Sequence, residues 1–118
     1  MVNSERAKNG CGPLRIDPKL QAAAQAHSDD MAARNYYEHD TPEGVDPGTR
    51  MTRAGYSWKS WGENIYESPH DPATAMAGWM ESPAHRDNIL DCSYKDTGVG
   101  VNLSANGPWW TEDFAAPQ

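Results

Sequence analysis

Gly98-Val99-Gly100-Val101-Asn102-Leu103 alternates with a period of two, Asn106-Gly107 marks a turn, and Trp109 to Phe114 resumes an extended run. This stretch predicts a C-terminal hairpin. Upstream the pattern changes. Asp17-Pro18, Asp71-Pro72 and Ser82-Pro83 each place a capping side chain before a proline, the signature of a helix start. Helices are therefore expected from Asp17 to about Asn35, from Asp71 through Met80, and from Pro83 to about Leu90 after a kink. In the first of these, Leu20, Ala24, His27 and Met31 fall at helical spacing and define one apolar face. A short helix is expected from Pro47 to Ala54 with Gly55 as its cap, and a short strand from Gly62 to Glu67. The class is α+β, a small and mainly antiparallel sheet flanked by helices.

At 118 residues, the chain has the length of one domain with a single core, spanning 1–118. Ten basic against seventeen acidic side chains give a net charge of −7 with no basic stripe, which disfavours nucleic acid and anionic membranes as partners. No run approaches the roughly 20 apolar residues of a membrane span. The chain opens on a polar, helix-compatible segment without a signal-peptide pattern, and only the first and last few residues look dispensable. Cys11 and Cys92 are too far apart for a C-x-x-C redox pair and too few for a thiolate zinc site, so a structural disulfide is the expected use of both. That implies an oxidising, extracellular location and a mature or trimmed chain.

Two histidines sit inside punctuated motifs. His39 lies at the entrance of a loop broken by Pro42 and Gly44, and His85 lies in the first turn of the helix that starts at Pro83. Glu63, on the strand between them, supplies a carboxylate, and two imidazoles with a carboxylate can hold Zn²⁺ or another divalent cation. The alternative is a polar knot of His39, Glu63 and His85 that ties loop, strand and helix together. His27 reads as a core histidine bonded to backbone, and His70 as a solvent-exposed residue in a helix-entry loop. Trp79 and Met76 read as core. Trp109 and Trp110 point to opposite faces of their strand, so Trp110 is a candidate wall of a cleft. Ser82 reads as a helix cap, and no nucleophile elbow or zinc-protease helix is present, so the catalytic residues stay unassigned.

Several motifs follow one another in order: Ala26-His27-Ser28 with Met31-Ala32, His39-x-Thr41-Pro42-Glu43-Gly44, Gly62-Glu63-Asn64-Ile65, Gly78-Trp79-Met80-x-Ser82-Pro83-x-His85-Arg86-x-Asn88-Ile89-Leu90, Gly98-Val99-Gly100 and Trp110-Thr111-x-x-Phe114. From about Val2 to Phe114 the chain resembles the CAP superfamily of cysteine-rich secretory, antigen 5 and pathogenesis-related 1 proteins, in its short bacterial secreted form. The resemblance implies an α-β-α sandwich with a histidine- and glutamate-lined cleft that binds metal in some members. His39 and Glu63 match cleft residues. The strand histidine of eukaryotic members is absent, because Trp109-Trp110-Thr111-Glu112 stands in its place, and Ser82 holds the position of their second glutamate, with Glu81 one residue away. His85 is the bacterial stand-in. Glu38, Asp40, Glu81 and Glu112 lie in or beside the motifs that would line the cleft, either deepening a negative potential there or forming part of an acidic surface.

The expected function is a secreted, monomeric domain whose cleft binds a divalent metal, a small ligand or an extracellular protein without obligatory turnover. A metal-dependent hydrolase with Glu63 as ligand or base is the alternative, and a lipid- or sterol-binding module needing an apolar groove is a third reading.

Overall fold

The computed structural model describes residues 1–67 and 71–118, so the expectation for His70 lies outside the described residues. The order of elements is α1 (Val2–Lys8), β1 (Arg15–Ile16), α2 (Pro18–Arg34), α3 (Pro47–Arg53), β2 (Trp58–Glu67), α4 (Pro72–Glu81), α5 (Pro83–Ile89), β3 (Asp96–Asn102) and β4 (Trp109–Pro117). Capping side chains start the helices where the sequence indicates. Asp17 accepts from the amides of Lys19 and Leu20, Asp46 from Thr49 and Asp71 from Thr74, each just ahead of a proline. Asn35 and Gly55 adopt the left-handed conformation just past the ends of α2 and α3.

The four strands run in the order β1-β3-β4-β2, with β1 parallel to β3 and the other neighbours antiparallel. The sheet is thus mixed through β1, which has only two residues and offers too little alternation to be read from sequence. β2 is longer than expected because its first residues, up to a register shift between Trp58 and Ser60, extend the ladder along β4.

Alternation along β4 divides the core between two helical layers. Trp109, Thr111, Asp113 and Ala115 face α2 and α3, where Ala115 joins Leu20, Ala23, Met51 and Tyr56, and Trp109 joins Met31 and Ile65. Trp110, Phe114 and Ala116 face α1, α4 and α5, packing with Met76, Trp79, Ile89 and Tyr94. Both tryptophans are buried, one on each face. α2 rides close on β3 because Gly98 and Gly100 carry no side chain: a Cβ on either would sit 2.2 to 2.4 Å from backbone atoms of Leu20, Gln21 or Gln25. Gln21 and Gln25 then satisfy the amides of Val99 and Val101 beyond the short β1.

The first residues are not dispensable. Arg6 is fully buried, and its guanidinium donates to the carbonyls of Gly12, Ile89, Asp91 and Tyr94. Beside this anchor Cys11 and Cys92 are joined in the expected disulfide, 81 residues apart in sequence. The tail likewise ends β4 against Trp58 through Pro117.

Candidate functional site at the free edge of β2

β2 is an edge strand, and its outward carbonyls are covered by side chains. Tyr94 Oη donates to Trp61 O at 2.8 Å and Asn88 Nδ2 to Glu63 O at 3.2 Å, while Trp79 Nε1 and Tyr37 Oη donate to Ile65 O at 3.1 and 3.2 Å. Such cover protects an edge from pairing with another chain. A cavity of about 340 Å³ opens on this edge, lined by His39, Asp40, Pro47, Trp61, Gly62, Glu63 and Asn88.

The His39 loop is held by a turn in which Gly44 N donates to Thr41 O at 2.8 Å and Val45 N to Thr41 Oγ1 at 3.1 Å, with Gly44 at positive φ. On the neighbouring α3, Arg50 Nη2 donates to His39 O at 2.9 Å and to both Glu63 oxygens, at 3.0 and 2.8 Å. His39 Nδ1 reaches Glu63 Oε1 at 3.0 Å. The Glu63 side chain is 1% exposed, Arg50 11% and His39 48%, so the buried carboxylate carries an exposed imidazole above it.

Burial alone would raise the Glu63 carboxyl, but the hydrogen bond from His39 and the charge of Arg50 outweigh it and hold it at about 2. Asp113 faces Glu63 across the β2/β4 ladder. It is completely buried, no other residue donates to either of its oxygens, and burial followed by the Glu63 charge pushes its carboxyl well up. The buried charges that face one another are thus the Glu63 carboxylate and the Arg50 guanidinium, with Asp113 disfavoured as a second anion beside them. Arg50 Nε and Nη1 are buried without partners.

His85 is near this cluster but not part of it. Its Nδ1 lies 2.9 Å from Ser82 Oγ, and its carbonyl accepts from Asn64 Nδ2 at 3.0 Å. Burial first, and the charge of His39 second, push its pKa down. Ser82 takes the expected N-cap position of α5, its carbonyl accepting from Arg86 N at 2.8 Å, but its hydroxyl is engaged with the imidazole and makes no side-chain cap bond. Among the described residues no group of three His, Cys, Asp or Glu side chains is arranged to hold a metal ion. His39, Glu63 and His85 thus meet as one bonded pair and one neighbour.

The remaining candidates disperse. Glu38 is exposed, and its carbonyl accepts from Nε2 of the buried His27 at 2.8 Å, the backbone bond expected for a core histidine. Glu81 ends α4 and lines a separate groove with Arg86 and Asp87. Trp110 and Glu112 lie on the opposite face of the sheet from Glu63, beside an apolar cavity of about 300 Å³ that Leu14, Met76 and Trp79 also line. There Glu112 Oε2 accepts from Thr97 Oγ1 at 2.8 Å, and burial lifts its carboxyl to about 7. Sequence reading missed Arg50 and Asp113. Arg50 had a readable signal, a cation one turn into the helix that follows the His39 loop; Asp113 became legible only once the β2/β4 register was known.

The family model for cysteine-rich secretory proteins (CAP) matches residues 1–114. The uncharacterized protein YkwD of Bacillus subtilis is 39% identical over 114 residues, covering 97% of this chain and 44% of that protein. An extracellular protein containing a SCP domain from Bacillus anthracis superposes with a TM-score of 0.91 at 31% identity, over 98% of this chain and 37% of the other. An outer surface protein of Borrelia burgdorferi shares the fold, with a TM-score of 0.92 at 17% identity over 99% of this chain and 87% of its own. This chain spans less than half the length of the two Bacillus proteins. By motif order, fold and sequence match, it belongs to the CAP family of cysteine-rich secretory proteins.

Proposed function

We propose that the chain is a secreted, extracellular binding module that takes its ligand at the cleft on the edge of β2, without obligatory turnover. One observation carries this reading: the Glu63 carboxylate is closed off by Arg50 and His39. To serve as a general base or metal ligand it would have to give up a buried ion pair, and an unpaired buried charge costs about 3–5 kcal/mol. The groups left open are the Nε2 atoms of His39 and His85, since both Nδ1 atoms are engaged. They suit a small ligand, an extracellular protein or a divalent cation such as Zn²⁺ bound by imidazole alone, with Glu63 orienting His39 in the way a carboxylate orients a metal-bound histidine. The extracellular location is supported by the disulfide and by the description of the Bacillus anthracis relative.

The test is an assay of the purified chain, loaded with stoichiometric Zn²⁺, against peptide and ester substrates. A binding module gives no turnover above the metal-only control. Turnover that disappears in His39→Ala and His85→Ala at unchanged Tm would establish the hydrolase instead. A second reading, an apolar-ligand site of the lipid or sterol type, is favoured only by the cavity beside Trp110. It requires a lipid that co-purifies with the chain or displaces a fluorescent apolar probe from it.

A further inference from the structure

The outward carbonyls of Trp61, Glu63 and Ile65 all find side-chain donors. In a strand the N–H of a residue projects to the same side as its carbonyl, so the Glu63 amide also points outward. It opens into the edge cavity, and among the described residues nothing accepts from it. The Glu63 side chain is 1% exposed against 4% for the whole residue, so what little of Glu63 is accessible is its main chain. The same cavity presents acceptors without donors: the exposed Asp40 carboxylate, Asn88 Oδ1, whose amide nitrogen is used by Glu63 O and Asn64 Oδ1, and Nε2 of His39, whose Nδ1 is taken up by Glu63. Trp61 and Pro47 supply apolar wall. An outward backbone donor, several acceptors and an aromatic wall form an uneven set. It calls for a ligand with one carbonyl oxygen and several hydroxyl donors on a ring with an apolar face.

We propose that this cavity binds an N-acetylated amino sugar, the acetamido carbonyl accepting from the Glu63 amide, the hydroxyls donating to Asp40, Asn88 and His39, and the ring lying against Trp61. This names a ligand class for the cleft and rests on reading that cleft as a binding site. A free carboxylate fits less well, because Asp40 would repel it. An unglycosylated peptide supplies the carbonyl but lacks the hydroxyls that would satisfy the acceptors.

The experiment is a titration of the ¹⁵N-labelled chain with tri-N-acetylchitotriose, its deacetylated counterpart and an N-acetyl dipeptide amide, followed through the Glu63 amide and the Trp61 indole resonances. Both resonances are expected to shift with the acetylated trimer, at least tenfold more weakly with the deacetylated trimer, and not with the dipeptide. Asp40→Ala, on an exposed side chain, should weaken binding severalfold and leave the amide spectrum folded. Equal binding of the acetylated and deacetylated trimers, tighter binding of the dipeptide, or no shift with any of the three overturns the proposal. A parallel Zn²⁺ titration separates the two readings: shifts of His39 and His85 with Zn²⁺ but none with sugar would overturn the sugar assignment and leave the cleft a binding site.

Discussion

Arg50 Nη2 donates to both oxygens of Glu63, at 3.0 and 2.8 Å, and to the backbone of His39 at 2.9 Å, so one side chain on α3 fixes the charge of the strand and the position of the loop. Replacing Arg50 by methionine leaves Glu63 buried and unpaired. Chemical denaturation is expected to show a loss of about 3–5 kcal/mol. Adding Glu63→Gln should recover much of that loss, because no buried charge then remains; a double variant no more stable than Arg50→Met would contradict this.

Glu112 gives the chain a pH dependence opposite in sign to that of Glu63. Its carboxyl is raised from an ordinary 4.5 to about 7 in the folded state. Between those values the unfolded chain has lost a proton that the folded chain keeps, so stability falls as pH rises through this window and levels off above about 7. At 1.36 kcal/mol per unit the contribution is on the order of 3 kcal/mol. Glu63, held at about 2, contributes stability that is present above 4.5 and lost as pH falls toward 2. Glu112→Gln should raise Tm at pH 7.5 more than at pH 4.5, read by calorimetry at both; an equal change at the two pH values would contradict the assignment.

The N-terminal anchor has two parts that can be removed separately. Reducing the Cys11–Cys92 bond releases a long loop, worth about 4 kcal/mol on the chain-entropy model. Arg6→Met leaves the disulfide intact but strips donors from four carbonyls, at an expected cost of at least about 3 kcal/mol. Thermal unfolding of each variant, with and without reductant, checks both.

Gly100→Ala should be among the most damaging single changes. The added methyl would lie 2.4 Å from Gln25 Cα, and backbone of α2 has to move for it to fit. The expected outcome is loss of soluble folded protein, or a drop of several kcal/mol where it folds. Wild-type stability in this variant would mean that α2 does not ride on β3 as described.

Helix starts, the hairpin and the disulfide were legible because each rests on local chemistry: Asp17 and Asp71 capping before prolines, Val99 and Val101 alternating, two cysteines with no other use. The site was only half legible. His39 and Glu63 do meet, but Arg50 turns the carboxylate from a free ligand into the floor of an ion-paired cluster, and the spacing of three cleft residues carries no trace of a fourth that neutralises them. Glu112 and Trp110 went to the other face of the sheet because alternation on β4, fixed by its register with β2, sends even-numbered residues away from Glu63. His85 stands apart because Ser82, not Glu63, receives its ring.

The division of labour between imidazoles and carboxylate is tested most directly by calorimetric titration of Zn²⁺ into the metal-free chain, comparing wild type with His39→Ala, His85→Ala and Glu63→Gln, with Tm recorded for each. Where Zn²⁺ is the ion the imidazoles take, the account predicts a single-site isotherm lost in both histidine variants, and in Glu63→Gln a site weakened by about tenfold but still present, together with a lowered Tm. Loss of the site in Glu63→Gln at unchanged Tm, or isotherms in the histidine variants identical to wild type, would contradict it.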